Sequence, residues 1–550
     1  MSNSIYLTHP AFTRWRTGRA GLRGVSPSTY WQAIVQRDPD LRSVVLCVEL
    51  VLGEDTVVRV ANRPCGTRSS MTGEAQQWVG ALSDDTTLTM DYQFGQSGST
   101  AKSMSITLPN ELVDCASIIA AGRMLAGVAE VSLNIDGGDY DQRLTLIRGD
   151  IDDGVQFGAR TQLVQLSITD PASSVDTQLP PYVLDTDRFA NLPDDSTGSR
   201  LPVVLPSFGA LPAVLVQASV TTPRFACCHG HLTIDTVYVD GAAYSSASVY
   251  YPWQQVHTQD ALGEPYTQLY FTGGTAGFSG DEAVYVVLSD GYSDGRPTNI
   301  ARALVEQYSA LGVAGTNGLL FARAEASLGG ITARCAANAS GSNSTTTLAF
   351  IEGELLASFP MVTMVWDGGA YGPVVTSRKG APVARLVADQ WPLLDRATSV
   401  TEQGKADIYN SFILQYGYDP LTDSYTGVVQ RNPTNSTLCN ISRQLVGERQ
   451  ADTIVSLWIT DESVANAVVD WLADHLTLPS YRVDYDASPW VLLHLRRGDN
   501  VLLTDPEFGW SNTQCTVESI TYTPSRCVLG LRVWARYYNL GGGSYSVAGG

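Results

Sequence analysis

Charge is scarce in this sequence. Asp, Glu, Lys and Arg make up 16% of its 550 residues, against about 25% in an average soluble chain. Aromatics reach 9%, so disorder is excluded, because a disordered chain needs more charge and fewer aromatics. Lysine is nearly missing, at three against 32 arginines. A formal charge of −20 excludes a general nucleic-acid binder, which needs a basic face to displace counterions. No apolar run approaches the roughly 18 residues of a membrane-spanning helix, so no span is expected. The start, Met1-Ser2-Asn3-Ser4, lacks the basic opening and apolar stretch of a signal peptide.

Paired cysteines are also missing. The nine, at 47, 65, 115, 227, 228, 335, 439, 515 and 527, are odd in number and show no CxxC spacing. Free thiols made in a reducing cytosol are the reading this favours. The sequons at Asn338, Asn343, Asn435 and Asn440 then carry little meaning without a secretory route. Catalytic signatures are absent too. Gly273-Gly274-Thr275-Ala276-Gly277 lacks the P-loop lysine and dinucleotide spacing. There is no HExxH, and Gly95-Gln96-Ser97-Gly98 and Gly277-Phe278-Ser279-Gly280 each miss a nucleophile elbow by one position. The sequence nominates no catalytic, cofactor-binding or metal-binding residue and no cofactor.

What is present points to strands. Aspartate outnumbers glutamate 39 to 16, beside 50 glycines; Asp and Gly make turns, whereas Glu builds helices. The arginine excess suits buried and interface ion pairs, or reflects a GC-rich coding sequence. The pattern predicts a mainly β, multidomain fold with a few packing helices: two β-barrel or sandwich modules flanking a middle α+β region.

Residues 1–43 form a basic arm, with Arg14, Arg16, Arg19, Arg23, Arg37 and Arg42 against Asp38 and Asp40. Its net charge of +4 leaves −24 on the rest, so it suits docking on an acidic neighbour, or lies as a solvated leader with Trp15 and Trp31 tucked onto the body. A first β-module spans 44–172, opening on the apolar run Val44–Leu52 closed by Gly53. Strands are expected at 56–60, 87–92, 103–108, 130–135 and 143–147, with a helix after Asn110 carrying Leu112, Cys115, Ala116 and Ile119 on one face. Prolines at 171, 180, 181, 193, 202 and 206 mark a linker over 173–210. A middle β-rich domain covers 211–380 and holds a helix over Pro297–Ser309.

The second module, 381–540, should contain a strand at 455–459 and a helix capped by Thr460-Asp461-Glu462. Strands are also expected at 481–485, 501–504, 515–521 and 527–534. The order strand, capped helix, strand occurs at 103–135 and again at 453–485, which suggests duplication. The Gly-rich end, 541–550, reads as a flexible tail.

Four weaker signals have a chemical and a plain reading. Cys227-Cys228-His229-Gly230-His231 gathers soft metal ligands, but neighbours on a strand point to opposite faces and zinc needs about four convergent ligands. Asn134, Asp136, Asp139 and Asp141 could wrap calcium, although Asp136-Gly137-Gly138-Asp139 already makes a good hairpin turn. Glu352 and Glu354 alternate onto one strand face as a possible carboxylate pair, or as a solvated face. The Arg-Gly-Asp triplets at Arg148 and Arg497 read as turns between strands.

Several segments resemble the tail hub, or baseplate hub, proteins of long-tailed bacteriophages. They are Trp458-Ile459-Thr460-Asp461 entering a helix, Leu476-Thr477-Leu478-Pro479, and Arg497-Gly498-Asp499-Asn500 running into Val501-Leu502-Leu503-Thr504-Asp505-Pro506. Leu201-Pro202-Val203-Val204-Leu205-Pro206-Ser207-Phe208-Gly209 and Arg296-Pro297-Thr298-Asn299 add to the likeness. The resemblance implies a homotrimer at the tail tip with two tail-tube-like modules per chain, adapting the sixfold tube to a threefold tip. It also implies a DNA channel without specific binding, and contacts with the tail tube or distal tail protein and a central fibre or tip protein. The chain would be made in the host bacterial cytoplasm and end in the virion. Two other classes are a glycan-binding tail or adhesion protein, marked by exposed aromatics in a groove, and a polysaccharide-cleaving enzyme using Glu352 or an Asp pair.

Overall fold

The computed structural model describes residues 43–52, 56–82, 86–91, 103–113, 127–151, 156–158, 163–171, 176–219, 222–273, 278, 282–289, 295–337, 345–389, 394–487, 495–523, 526–534, 537–538 and 546–547. The basic arm up to residue 42, most of the Gly-rich tail, Cys115, Ala116 and Ile119 lie outside these residues. Strands account for 49% and helices for 18%, which makes the fold mainly β. The chain divides into two compact units. The first holds the chain through Val175, Thr363–Ile408 and the part from Leu478 onward; the second holds Asp176–Val362 and Tyr409–Thr477. The stretch 381–540, which the sequence pattern groups together, is therefore shared between both.

In the first unit, sixteen strands of the described residues form one sheet, fourteen in the two arcs below and two short ones, Gln156–Gly158 and Ala384–Val387, paired at their sides. Its N-terminal arc contains β1 (Val44–Leu52), β2 (Thr56–Ala61), β3 (Cys65–Arg68), β4 (Ala75–Gly80), β5 (Leu88–Asp91), β6 (Ser103–Pro109), β7 (Gly127–Ile135), β8 (Leu144–Ile151) and β9 (Leu163–Thr169). A separate hairpin, β10 (Val362–Asp367) and β11 (Ala370–Val375), follows later in the chain. The C-terminal arc contains β12 (Leu394–Glu402), β13 (Ser480–Ala487), β14 (Asn500–Asp505), β15 (Trp510–Thr523) and β16 (Arg526–Trp534). The order is β12-β13-β16-β15-β5-β6-β9-β8-β7-β1-β2-β4-β3, with β14 on the side of β15. The arcs join where β5 pairs antiparallel with β15, Met90 opposite Ile520. Among the described residues no sheet closes into a barrel.

The apolar run of β1 follows from burial on both faces. Val44, Leu46, Val48 and Leu50 enter a core shared by both arcs, which also holds Val483, Leu503 and Leu531. Val45 and Cys47 face the other way, into a small cluster with Ala61, Cys65 and Trp78. Each fully buried Val or Leu contributes roughly 1.5–3 kcal/mol, so one core spanning both arcs holds them together strongly.

The second unit contains two four-stranded antiparallel sheets. One orders Ser207–Pro212, Val284–Ser289, Thr233–Val239 and Ala242–Tyr244; the other orders Val214–Gln217, Arg224–His229, Pro265–Phe271 and Trp253–Gln259. Helix α1 (Pro297–Tyr308) starts with proline at its first turn and buries Ile300 and Leu304. Helices α2 (Gly318–Leu328) and α3 (Thr437–Val446) follow. Helix α4 (Glu462–Leu476) begins where the Asp461 side chain accepts from Ser463 N, satisfying an amide that the helix start leaves unpaired. Its Val464, Val468 and Leu472 are buried, and it packs on Phe412–Asp419 and Ser424–Arg431.

Two local expectations differ from the structure. The strand expected over 455–459 stops after Ile454–Val455, because Ser456 Oγ accepts from Trp458 N (3.2 Å) and Ile459 N (3.1 Å) and turns the chain. That short strand pairs with Phe412–Asp419 in the second unit, whereas β13 lies in the first unit's sheet. The strand–helix–strand order at 453–485 is thus divided between the units, while β6 and β7 share one sheet. Glu352 and Glu354 lie not on a strand but on the helical turn Ile351–Leu355 that continues Thr347–Phe350. Leu348, Ile351 and Leu355 are buried there at helical spacing, which overrides the alternation of the two acids.

Candidate functional site

The Cys-Cys-His-Gly-His segment disperses its ligands. Cys227 and Cys228 are buried on the strand Arg224–His229. Burial pushes the Cys228 thiol up to about 12, which keeps it protonated. His229 Nδ1 lies 3.0 Å from Tyr308 OH, on α1. Its imidazole is held below its ordinary pKa by burial, with Glu264 opposing. His231 instead stacks on His257, with centroids 5.0 Å apart. No group of three or more His, Cys, Asp or Glu among the described residues could hold a metal ion.

The acidic turn after β7 spends its oxygens on backbone amides. Asp136 Oδ1 accepts from Gly66 N (3.1 Å), and Asp139 Oδ1 from Ser70 N (3.0 Å) and Asp141 N (3.0 Å). Asp141 Oδ2 accepts from Ser69 Oγ (2.7 Å) and Met71 N (2.9 Å). These carboxylates pin the β3–β4 loop. Glu352 and Glu354, two apart on a helical turn, do not share a face, which removes the geometric basis for a carboxylate pair.

The two Arg-Gly-Asp triplets come together on one element. Arg148-Gly149-Asp150 lies inside β8 rather than in a turn; a Cβ on Gly149 would collide with the backbone of Thr169 in β9. Arg497-Gly498-Asp499 is a turn, with Gly498 at φ 80°. Both triplets touch the β10–β11 hairpin. A Cβ on Gly369, at the hairpin tip, would meet Arg148, and one on Gly498 would meet Val374. Arg497, itself buried, donates through Nη2 to Trp366 O at 2.5 Å. Arg496 Nε lies 3.5 Å from Asp367. The hairpin is thus held by residues of both arcs. A cavity of about 30 Å³ beside it is lined by Met90, Leu146, Asp367, Arg496, Arg497 and Ile520 among others. That volume is the scale of a water molecule.

Away from the shared core, the sheet carries charged rows. Across β2, β1, β7 and β8 the register sets Arg59, Glu49, Glu130 and Arg148 side by side. Arg59 Nε reaches Glu49 at 2.6 Å, and Arg143 Nε and Arg148 Nη2 each reach Glu130 at 2.5 Å. Burial works against ionisation of Glu130, but Arg143 and Arg148 outweigh it and hold the carboxyl at about 2. In the C-terminal arc Arg482 faces Arg532. Arg532 pairs with Glu518, and Arg482 lies 3.5 Å from Asp484. Neither row was legible in sequence, since their members are brought together only by register.

The geometry defines a mainly β, multi-sheet protein whose described polar clusters brace strands and turns. No protein-family model matches the chain, and no curated protein does. Among solved structures, a tail protein from Neisseria meningitidis MC58 is similar at 9% identity and a TM-score of 0.35, over 89% of this chain and 96% of its own. A structure of the phage P2 baseplate in its activated conformation with Ca is similar at 12% identity and a TM-score of 0.18, over 65% of this chain and 98% of that one. A topological model of the P2 virion baseplate gives 11% and 0.18 over the same shares. At these TM-scores the likenesses carry no functional weight.

Proposed function

We propose that this chain is a structural, non-enzymatic component of a bacteriophage tail tip: a homotrimeric hub that adapts a sixfold tail tube to a threefold tip and lines the DNA channel. The observation that carries this reading is the antiparallel pairing of β5 with β15, by which one chain contributes two joined arcs to a single sheet. Three such chains supply six arcs, the number a threefold adaptor for a sixfold tube requires. At one end the sheet stops at β12, where a strand edge suits pairing with a neighbour. The segments quoted above as resembling hub proteins agree with it. A net charge of −20 opposes adsorption of DNA by like-charge repulsion. Its partners on this reading are its own copies, the tail tube or distal tail protein, and a central fibre or tip protein.

Negative-stain electron microscopy of the purified chain at high concentration tests this. Threefold rings with six outer lobes around an open channel are the expected end-on view. Single asymmetric particles at every concentration would overturn the homotrimer.

A further inference from the structure

Cys47 and Cys65 lie on different strands, yet they share one five-residue buried cluster with Val45, Ala61 and Trp78. The path that brings them together is short. Cys47 on β1 stands opposite Ala61 at the end of β2, and the chain then turns through Asn62–Pro64 into β3. Asn62 locks that turn, donating its N–H to Leu46 O (3.1 Å) and accepting from Leu46 N on Oδ1 (2.9 Å). Gly66, beside Cys65, is tied to the turn after β7 through Asp136 and Gly137. Cys65 is thereby pressed toward β1, into the buried cluster that holds Cys47.

We propose that Cys47 and Cys65 are a disulfide-forming site, closed by thiol–disulfide exchange with a small-molecule disulfide such as oxidised glutathione. The Cys65 thiolate attacks one glutathione sulfur, forming a mixed disulfide and releasing one glutathione thiolate. Cys47 gives up its proton and attacks the Cys65 sulfur, displacing the second glutathione. Two protein thiols become one disulfide, and one oxidised glutathione becomes two reduced ones.

The order of attack follows from the surroundings. Hydrogen bonding from Cys47 lowers the Cys65 thiol below its ordinary value, while burial, with Cys65 adding to it, raises Cys47; Cys65 is the better first nucleophile. Access comes first at Cys65, which is 7% exposed on the four-residue β3, whereas Cys47 is wholly enclosed. The inference does not depend on the tail-tip reading.

The test incubates the full folded chain with oxidised glutathione, alkylates it in denaturant and digests it with trypsin without reductant. Cys47 and Cys65 fall in separate peptides, 43–59 and 60–68, since Arg63 precedes proline. The expected product is these two peptides joined, two hydrogens lighter than their sum, with alkylatable thiols falling from nine to seven. The melting temperature should rise with the link, and Cys65→Ser should abolish both changes. Nine alkylated cysteines after the same exposure, or a link between any other pair, would overturn the proposal. This readout needs only the wild-type chain, so a variant that fails to fold does not protect it.

Discussion

On the N-terminal arc two carboxylates, Glu49 and Glu130, stand opposite each other with arginines on their flanks. On the C-terminal arc two arginines, Arg482 and Arg532, stand opposite each other with carboxylates on theirs. Like charges facing across strands repel, and each arc compensates with nearby counter-charges: from neighbouring strands and a turn in the first, and from β15 and from β13 itself in the second. The arrangements have opposite sign and different exposure. The Glu130 side chain is 3% exposed, while Arg482 is 52% exposed. The same backbone solution therefore carries different energetics: the first row depends on its buried centre, whereas in the second Arg482 leans on solvent.

Removing that buried centre should have the largest effect. Glu130→Ala leaves Arg143 and Arg148 half-buried without their counter-charge, and a loss of about 3–5 kcal/mol is expected. Arg482→Ala should cost about 1 kcal/mol or less. Urea unfolding of both variants checks this; equal losses would erase the distinction between the arcs.

Acid should act next. The folded Glu130 carboxyl lies below its ordinary 4.5, at about 2. Its stabilisation is therefore complete above about pH 4.5 and is lost as pH falls toward 2. The expected loss is on the order of 3 kcal/mol. Unfolding free energies measured between pH 5 and 2 should show this slope in the wild type and a weaker one in Glu130→Gln.

The glycines of the two triplets sharpen the comparison further. Gly149→Ala drives a Cβ into the β9 backbone, and Gly498→Ala strains a positive φ and meets Val374. Overpacking of this kind costs about 1–3 kcal/mol. Gly149→Ala should be the worse, because rigid backbone yields less than a valine side chain; thermal melts rank them. The smallest effect belongs to Arg526→Ala, whose partner Asp486 is partly exposed. A change under about 1 kcal/mol is expected, falling further in high salt.

Much of the local structure was readable from side-chain pattern. The apolar run of β1, the alternation of β5 and β6, the proline start of α1 and the Asp461 cap of α4 are local signals, and the structure follows them. Alternation misled at Glu352 and Glu354, where buried Leu348, Ile351 and Leu355 impose a helical period. The Arg-Gly-Asp triplet at Arg148 suggested a turn; its glycine serves a close approach of two strands instead.

Sequence by itself determined the strands with a clear apolar run or alternation, such as β1 and β6, and the starts of helices α1 and α4, because these depend on residues within a turn or two of each other. Tertiary structure alone decided that β5 meets β15, that one hairpin touches both triplets, and that Cys47 faces Cys65. Those pairings join residues far apart in the chain or across a reversing turn. Their stability comes from burial and register that no short window contains.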